Sequence, residues 1–121
     1  MPDGFHKPDI KTAIPKRRYQ VGEFVVVVLG EIESGDGIDY RYIAAVVREG
    51  DSEPGMYVTV EAPPVDNEHQ ATLAMRLILR DGSEIIGASD DWDKLERFVE
   101  DALDVVIRVL NLGDQEPYRL M

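Results

Sequence analysis

Residues 90–112 read DDWDKLERFVEDALDVVIRVLNL, and this stretch decides the fold of the chain. At the period of an α-helix, its charged side chains fall within about 160° of arc and leave about 200° apolar. A helix that lies on one sheet typically needs an apolar stripe somewhat wider than about 100°. Ser89 supplies an N-cap and Gly113 a C-terminal stop. The pattern therefore predicts a long amphipathic helix from about Asp90 to Leu112.

The wide apolar face of this helix has two interpretations. One row of apolar positions follows the alternating three- and four-residue spacing that serves an antiparallel helix pair. We therefore expect a homodimer interface along this row. The alternative is a concave sheet that wraps the helix, and the sequence leaves both open. The candidate interface residues are Trp92, Leu95, Val99, Ala102, Val106 and Val109.

Five segments before the helix have the composition of β-strands, because they alternate in polarity or are rich in β-branched residues. Turn residues, among them Ser34–Gly37 and Asp81-Gly82, separate them. The predicted fold class is α+β: a mainly antiparallel four- to five-stranded sheet, in β-β-β-β-β-α order, packed against one long C-terminal helix. The predicted strands lie within 19–33, 38–48, 56–62, 71–80 and 84–88.

The N-terminal segment lacks a periodic apolar pattern and contains Pro2, Pro8 and Pro15. It ends in the basic cluster formed by residues 16–18. We expect residues 1–18 to form an extended, flexible basic arm and residues 19–121 to form a single α+β domain. The alternative is an arm that docks on an acidic surface, either of its own domain or of a neighbour.

Composition limits the classes of function. The chain has 121 residues, no Cys and a formal net charge of −11. Residues 1–20 hold five Lys or Arg against two Asp, so the acidic excess lies in the remainder, where it repels phosphate backbones. Nucleic-acid binding is therefore disfavoured. The N-terminus has no apolar signal region and no apolar run reaches the ~18 residues of a membrane span. We expect a cytoplasmic protein without membrane contact.

Few residues suggest a catalytic or metal-binding role. Asp66, Glu68 and His69 share one polar loop and are candidates for part of a metal site, although a site needs three or four convergent ligands and a polar loop tip is the favoured interpretation. Phosphate-binding loops, nucleophile elbows and zinc-protease motifs do not occur in the sequence. The sequence therefore predicts no enzyme activity and no cofactor.

Three functions from different classes remain. The preferred hypothesis is a non-enzymatic protein–protein interaction module that acts as a homodimer, with a further protein partner as an option. The second is a binder of a small apolar ligand between sheet and helix. Its pocket would be lined by Met56, Met75, Leu77 and Phe98.

The third hypothesis is single-stranded nucleic-acid binding. The order of several strands followed by one long helix, over residues 19–112, resembles the plan of the whirly-type single-stranded-DNA binders, and this resemblance implies pairing through helices. Those proteins present basic strands, whereas the strands here offer scattered Arg41, Arg48, Arg76 and Arg80. Tyr40, Tyr42 and Tyr57 could share a sheet face, where exposed rings would stack on bases and buried rings would pack the sheet.

Overall fold

The computed structural model describes residues 7–62, 73–113 and 115–121. Within these ranges the chain forms seven strands, one α-helix and one 3₁₀-helical turn. In chain order they are β1 (Ile10–Val21), β2 (Phe24–Ser34), β3 (Tyr40–Arg48), β4 (Met56–Glu61), β5 (Leu73–Leu79), β6 (Gly82–Ser89), the 3₁₀ turn (Asp90–Asp93), α1 (Leu95–Val109) and β7 (Tyr118–Arg119).

All seven strands belong to one antiparallel sheet with the order β6-β5-β4-β3-β2-β1-β7. Strands β1 to β6 thus form a meander, in which each strand pairs with its neighbour along the chain. The α+β architecture agrees with the sequence, but the expected count of four to five strands is wrong, because β1 and β7 also join the sheet.

Strand β1 was not predicted, because it contains a proline. Pro15 lies inside it, opposite Leu29, next to one of three irregularities in the pairing with β2. On its other side β1 meets β7 only at Tyr19 and Gln20. At Pro15, β1 therefore lies at the edge of the sheet, where a residue without an N–H group is tolerated.

The basic cluster of the N-terminal segment contacts the chain's own acidic groups. Arg17 forms an ion pair of 2.6 Å with Glu96 of α1, and Lys16 forms one with Glu31 of β2. Residues 10–18 lie in β1.

The helical region is divided where the sequence predicts one continuous helix. Ser89 Oγ accepts a hydrogen bond of 3.1 Å from the N–H group of Asp91 and so caps the 3₁₀ turn. Lys94 is extended, with φ −95° and ψ 128°, and α1 begins after it at Leu95. Asn111, with φ 57°, follows the helix.

The sheet buries apolar side chains on both faces. On the face that we call the helix face, α1 packs on the central strands, and the largest fully buried side chain there is that of Phe98. Its ring stacks on Tyr42 with a centroid separation of 5.4 Å. A second cluster lies on the opposite face, which we call the back face, because successive residues of a strand point to opposite sides. The back-face cluster consists of Tyr40, Ile43, Ala45, Tyr57 and Ile78.

Candidate binding cavity on the back face of the sheet

Strand β4 carries buried polar side chains, and every one of its residues is buried. The sequence predicts one dry face for this strand, formed by Met56, Val58 and Val60, and these side chains do join the core of the helix face. The alternating residues Thr59 and Glu61 are nevertheless buried too, on the back face. Burial of a carboxylate is costly unless it is paired, so Glu61 needs partners.

Those partners come from the neighbouring strand and from β4 itself. Arg76 Nε donates to Glu61 Oε2 at 2.7 Å, and the more distant Nη2 lies 3.5 Å from Oε1. Thr59, which stands opposite Arg76 in the ladder, donates its hydroxyl to the same Oε2 at 3.1 Å. The Glu61 side chain is 11% exposed and that of Arg76 is 32% exposed. The carboxylate is thus enclosed, while its guanidinium partner reaches water.

A bulge brings Tyr40 to the same place. Tyr40 stands opposite Glu61, but the pairing shifts before Tyr42, so Arg41 is an extra residue. Tyr40 therefore joins the back-face cluster, while Tyr42 packs on the helix face. The bulge separates two tyrosines that strict alternation would put on one face. The shared face therefore holds Tyr40 and Tyr57, both buried, and this is sheet packing.

The Tyr40 hydroxyl donates to Asp36 Oδ2 at 2.8 Å. Asp36 also accepts hydrogen bonds of 3.1 Å from the N–H groups of Asp9 and Ile38. Burial acts to raise the pKa of Asp36, but these donors outweigh it and the net pKa is lowered. Burial and the bond to Asp36 raise the pKa of Tyr40. At neutral pH, Asp36 is therefore a carboxylate and Tyr40 a neutral phenol.

These groups line a cavity of about 400 Å³ on the back face. Two carboxylates and one guanidinium contribute to its wall, so the lining carries a net negative charge at neutral pH. Ile38 and Ile78 supply apolar surface, and Ser83 of β6 adds a hydroxyl. The full lining is Asp36, Ile38, Tyr40, Glu61, Arg76, Ile78 and Ser83.

The chain before β1 supports one wall of this cavity. Pro8 is buried, and the N–H group of Gly35 donates to the carbonyl of Asp9 at 2.8 Å. Residues 7–9 therefore lie against the turn that joins β2 and β3 and carries Asp36. This contact between the N-terminal segment and the turn holds the Asp36 carboxylate in place.

The candidate interface row on the helix does not form one exposed surface. Trp92, Val99, Ala102 and Val106 are enclosed in the chain's own core, and Trp92 Nε1 donates to Asp101 Oδ2 at 2.7 Å. Leu95 is half-buried, and Val109 is 40% exposed. The homodimer itself stays a prediction. A dimer of this fold requires a surface other than the four enclosed side chains.

The possible metal ligands Asp66, Glu68 and His69 lie outside the described residues. Across 7–62, 73–113 and 115–121 there is no cluster of three or more His, Asp or Glu that could hold a metal ion.

Of the expected ligand-pocket residues, Met56, Met75 and Phe98 are packed in the core and Leu77 is half-buried. Met56 also borders a cleft of about 180 Å³ beside Leu110, just past the end of α1.

Three of the four arginines considered for nucleic-acid binding form ion pairs with carboxylates. Arg41 forms an ion pair with Asp93, Arg48 with Glu23 and Arg76 with Glu61. Arg80 borders the same cleft as Met56.

The chain matches no known family model, no curated protein and no solved structure. In the part of the chain that the structure describes, the helix is too short and too polar to cross a membrane. Sequence reasoning missed the back-face cavity because Thr59 and Glu61 have the alternation of a solvated face. The available signal was Arg76, a charged residue between the apolar neighbours Met75 and Leu77 of a core strand.

Proposed function

We propose that this chain is a non-enzymatic protein–protein interaction module that acts as a homodimer, and that the dimer forms through strand β6. The observation that carries the proposal is the open edge of the sheet. Strand β6 pairs with β5 on one side, and the structure places no strand on the other side among the described residues. An open edge presents unpaired backbone N–H and C=O groups to another chain.

The side chains of β6 favour pairing of this edge with another chain, because they carry few of the charges that usually prevent such pairing. Ile85 is 48% exposed and Ile86 is 38% exposed, and Glu84 is the single charged residue in Gly82–Ser89. Edge strands that avoid association commonly carry Lys, Pro or several charges. Strand β6 has neither Lys nor Pro.

One feature shapes the contact. Ile85 stands opposite Arg76 and Gly87 stands opposite Met75, so Ile86 is an extra residue in the ladder. This bulge bends the strand locally and is itself one of the features that can protect a sheet edge, so the two copies would pair across it. In an antiparallel pair of β6 strands centred between Ile85 and Ile86, Glu84 of one copy faces Gly87 of the other. No charge then opposes a like charge, and the isoleucines meet at the two-fold axis.

The electrostatics of the cavity support a non-enzymatic role. A general acid or base is most effective when its pKa lies near the working pH. The pKa of Asp36 is lowered and that of Tyr40 is raised, so both shift away from neutrality. Glu61 is held by Arg76 and Thr59.

Sedimentation velocity between about 1 µM and about 100 µM tests the dimer, since this range brackets a modest interface. We expect the unmodified protein to be dimeric and Ile85→Lys to be monomeric, because an ammonium group at the pairing edge has no partner. The matched control is Ile14→Lys on β1, where the replaced side chain is 46% exposed. This variant should stay dimeric. A monomeric unmodified protein across the range would overturn the proposal.

A second candidate is the binding of a small apolar ligand in the cleft beyond α1. Phe24, Met56, Leu79 and Leu110 supply apolar lining to its volume of about 180 Å³. This cleft suits only a compact ligand, since most small-molecule sites measure about 300–1,000 Å³. Thermal denaturation with and without a small aromatic compound tests it, and a stabilisation that saturates and is lost in Leu110→Lys would support it.

A further inference from the structure

We propose that the back-face cavity binds a small organic cation: a primary ammonium or guanidinium group carried on a short apolar chain. The proposal does not rest on the dimer, although Ser83 of β6 contributes to the cavity lining. Three features of the cavity favour such a ligand: the net charge of the lining, the acceptor capacity of its carboxylates and the position of its apolar wall.

The net charge of the lining favours a cation. Asp36 is ionised, and its donors are two backbone N–H groups and the hydroxyl groups of Tyr40 and Ser34, all of which are neutral. Arg76 already donates to Glu61, so one guanidinium faces two carboxylates. An anionic ligand would meet the excess negative charge at close range, whereas a monocation would neutralise it.

Glu61 retains acceptor capacity toward the cavity. Its Oε2 accepts hydrogen bonds of 2.7 Å from Arg76 Nε and of 3.1 Å from the Thr59 hydroxyl. Its Oε1 has only the contact of 3.5 Å to Arg76 Nη2, which is too long for a strong hydrogen bond. A carboxylate offers about four acceptor positions. A ligand N–H group can therefore donate to Oε1, and a bond between two charged groups is about twice as strong as a neutral one.

The apolar wall defines the rest of the ligand. Ile78 is buried at the cavity floor, and Ile38 is 36% exposed at the turn between β2 and β3. A volume of about 400 Å³ exceeds what a hydrated metal ion needs and is at the lower end of small-molecule sites. A short alkyl chain between Ile38 and Ile78 fits this surface, with its cationic group toward Glu61 and Asp36.

Isothermal titration of the full chain with n-butylammonium and n-butylguanidinium tests the proposal. n-Butyrate and n-butanol have the same alkyl chain with the opposite charge and with no charge. We expect saturable binding of the cations and none of the controls. Equal binding of butanol would mean that the cavity recognises only the alkyl chain, and absence of cation binding up to about 10 mM, a limit of about 3 kcal/mol in affinity, would likewise overturn the proposal.

Two pairs of variants locate the binding. Asp36→Asn removes a cavity charge, and its matched control Asp39→Asn removes the same charge from outside this lining. We expect at least tenfold weaker binding for the first (about 1.4 kcal/mol) and no change for the second.

Asp36 also orders a turn, so the second pair does not touch it. Ile38→Lys places an ammonium group at the cavity wall and should abolish binding, whereas Ile14→Lys adds the same charge elsewhere and should not. Retention of binding in folded Ile38→Lys would contradict the assignment.

Discussion

Replacement of Arg76 by Leu tests how strongly the back face depends on one ion pair. The Glu61 side chain is 11% exposed in the unmodified protein, and without Arg76 its remaining side-chain donor is the Thr59 hydroxyl. Removal of one partner of a fully buried pair costs about 3–5 kcal/mol. Since Arg76 is 32% exposed and water can approach from its side, we expect the lower end, about 3 kcal/mol.

Replacement of Glu61, the partner of Arg76, should lower the free energy of unfolding by less. In Glu61→Leu, Arg76 keeps its access to water, so we expect a loss of about 1–2 kcal/mol. In the double variant the buried charge and its partner are both replaced by apolar side chains, and the free energy of unfolding should return to within about 1 kcal/mol of the unmodified protein. The coupling energy of the cycle is then about 3–5 kcal/mol.

Urea unfolding followed by the fluorescence of Trp92, the one tryptophan, measures this cycle at a fixed protein concentration. The control is the Arg48–Glu23 pair, whose side chains are 60% and 52% exposed and whose coupling should be below about 1 kcal/mol. If the double variant loses the sum of the two single losses, Glu61 and Arg76 act independently and the argument from burial is refuted.

Two further predictions concern the hydrophobic core and the dependence of the stability on pH under acidic conditions. Phe98→Ala should lower the free energy of unfolding by about 3–5 kcal/mol because the ring is fully buried, whereas Val109→Ala on the exposed side of α1 should change it by less than about 1 kcal/mol in the same urea assay. Asp36 has a lowered pKa when folded, so its carboxylate adds stability that is present above about pH 4 and is lost as the pH falls through the folded pKa. Urea midpoints between about pH 2.5 and pH 5 should therefore depend less on pH in Asp36→Asn, and an unchanged profile would contradict this contribution.

The local patterns predicted the β2–β3 and β5–β6 hairpins, because each depends on residues that are close in the chain. They missed the β1–β2 hairpin, since the predicted strand 19–33 is divided between β1 and β2. The β2–β3 and β5–β6 pairs form where turn residues separate two apolar segments. The second turn lies one residue earlier than expected: Leu79 pairs with Gly82, so Arg80 and Asp81 form the turn.

What the sequence could not predict depends on contacts between distant positions. The burial of Glu61 requires Arg76 on the next strand, and composition alone does not fix that register. The position of Tyr40 depends on a one-residue bulge, which reverses the side to which every following residue points. The wide apolar arc of the helix was a valid signal, and much of it is used by the chain's own sheet.

The order of the sheet has a consequence for how the chain folds as it is synthesised. Strands β1 to β6 can pair one after another as each emerges from the ribosome, because every partner is the preceding strand. The contact between β7 and β1 is different, since Leu120 donates its N–H group to the carbonyl of Arg18 at 2.7 Å. The first strand must therefore wait until about a hundred further residues have been made, roughly 5–20 s at the usual elongation rates, with that part of its edge still open.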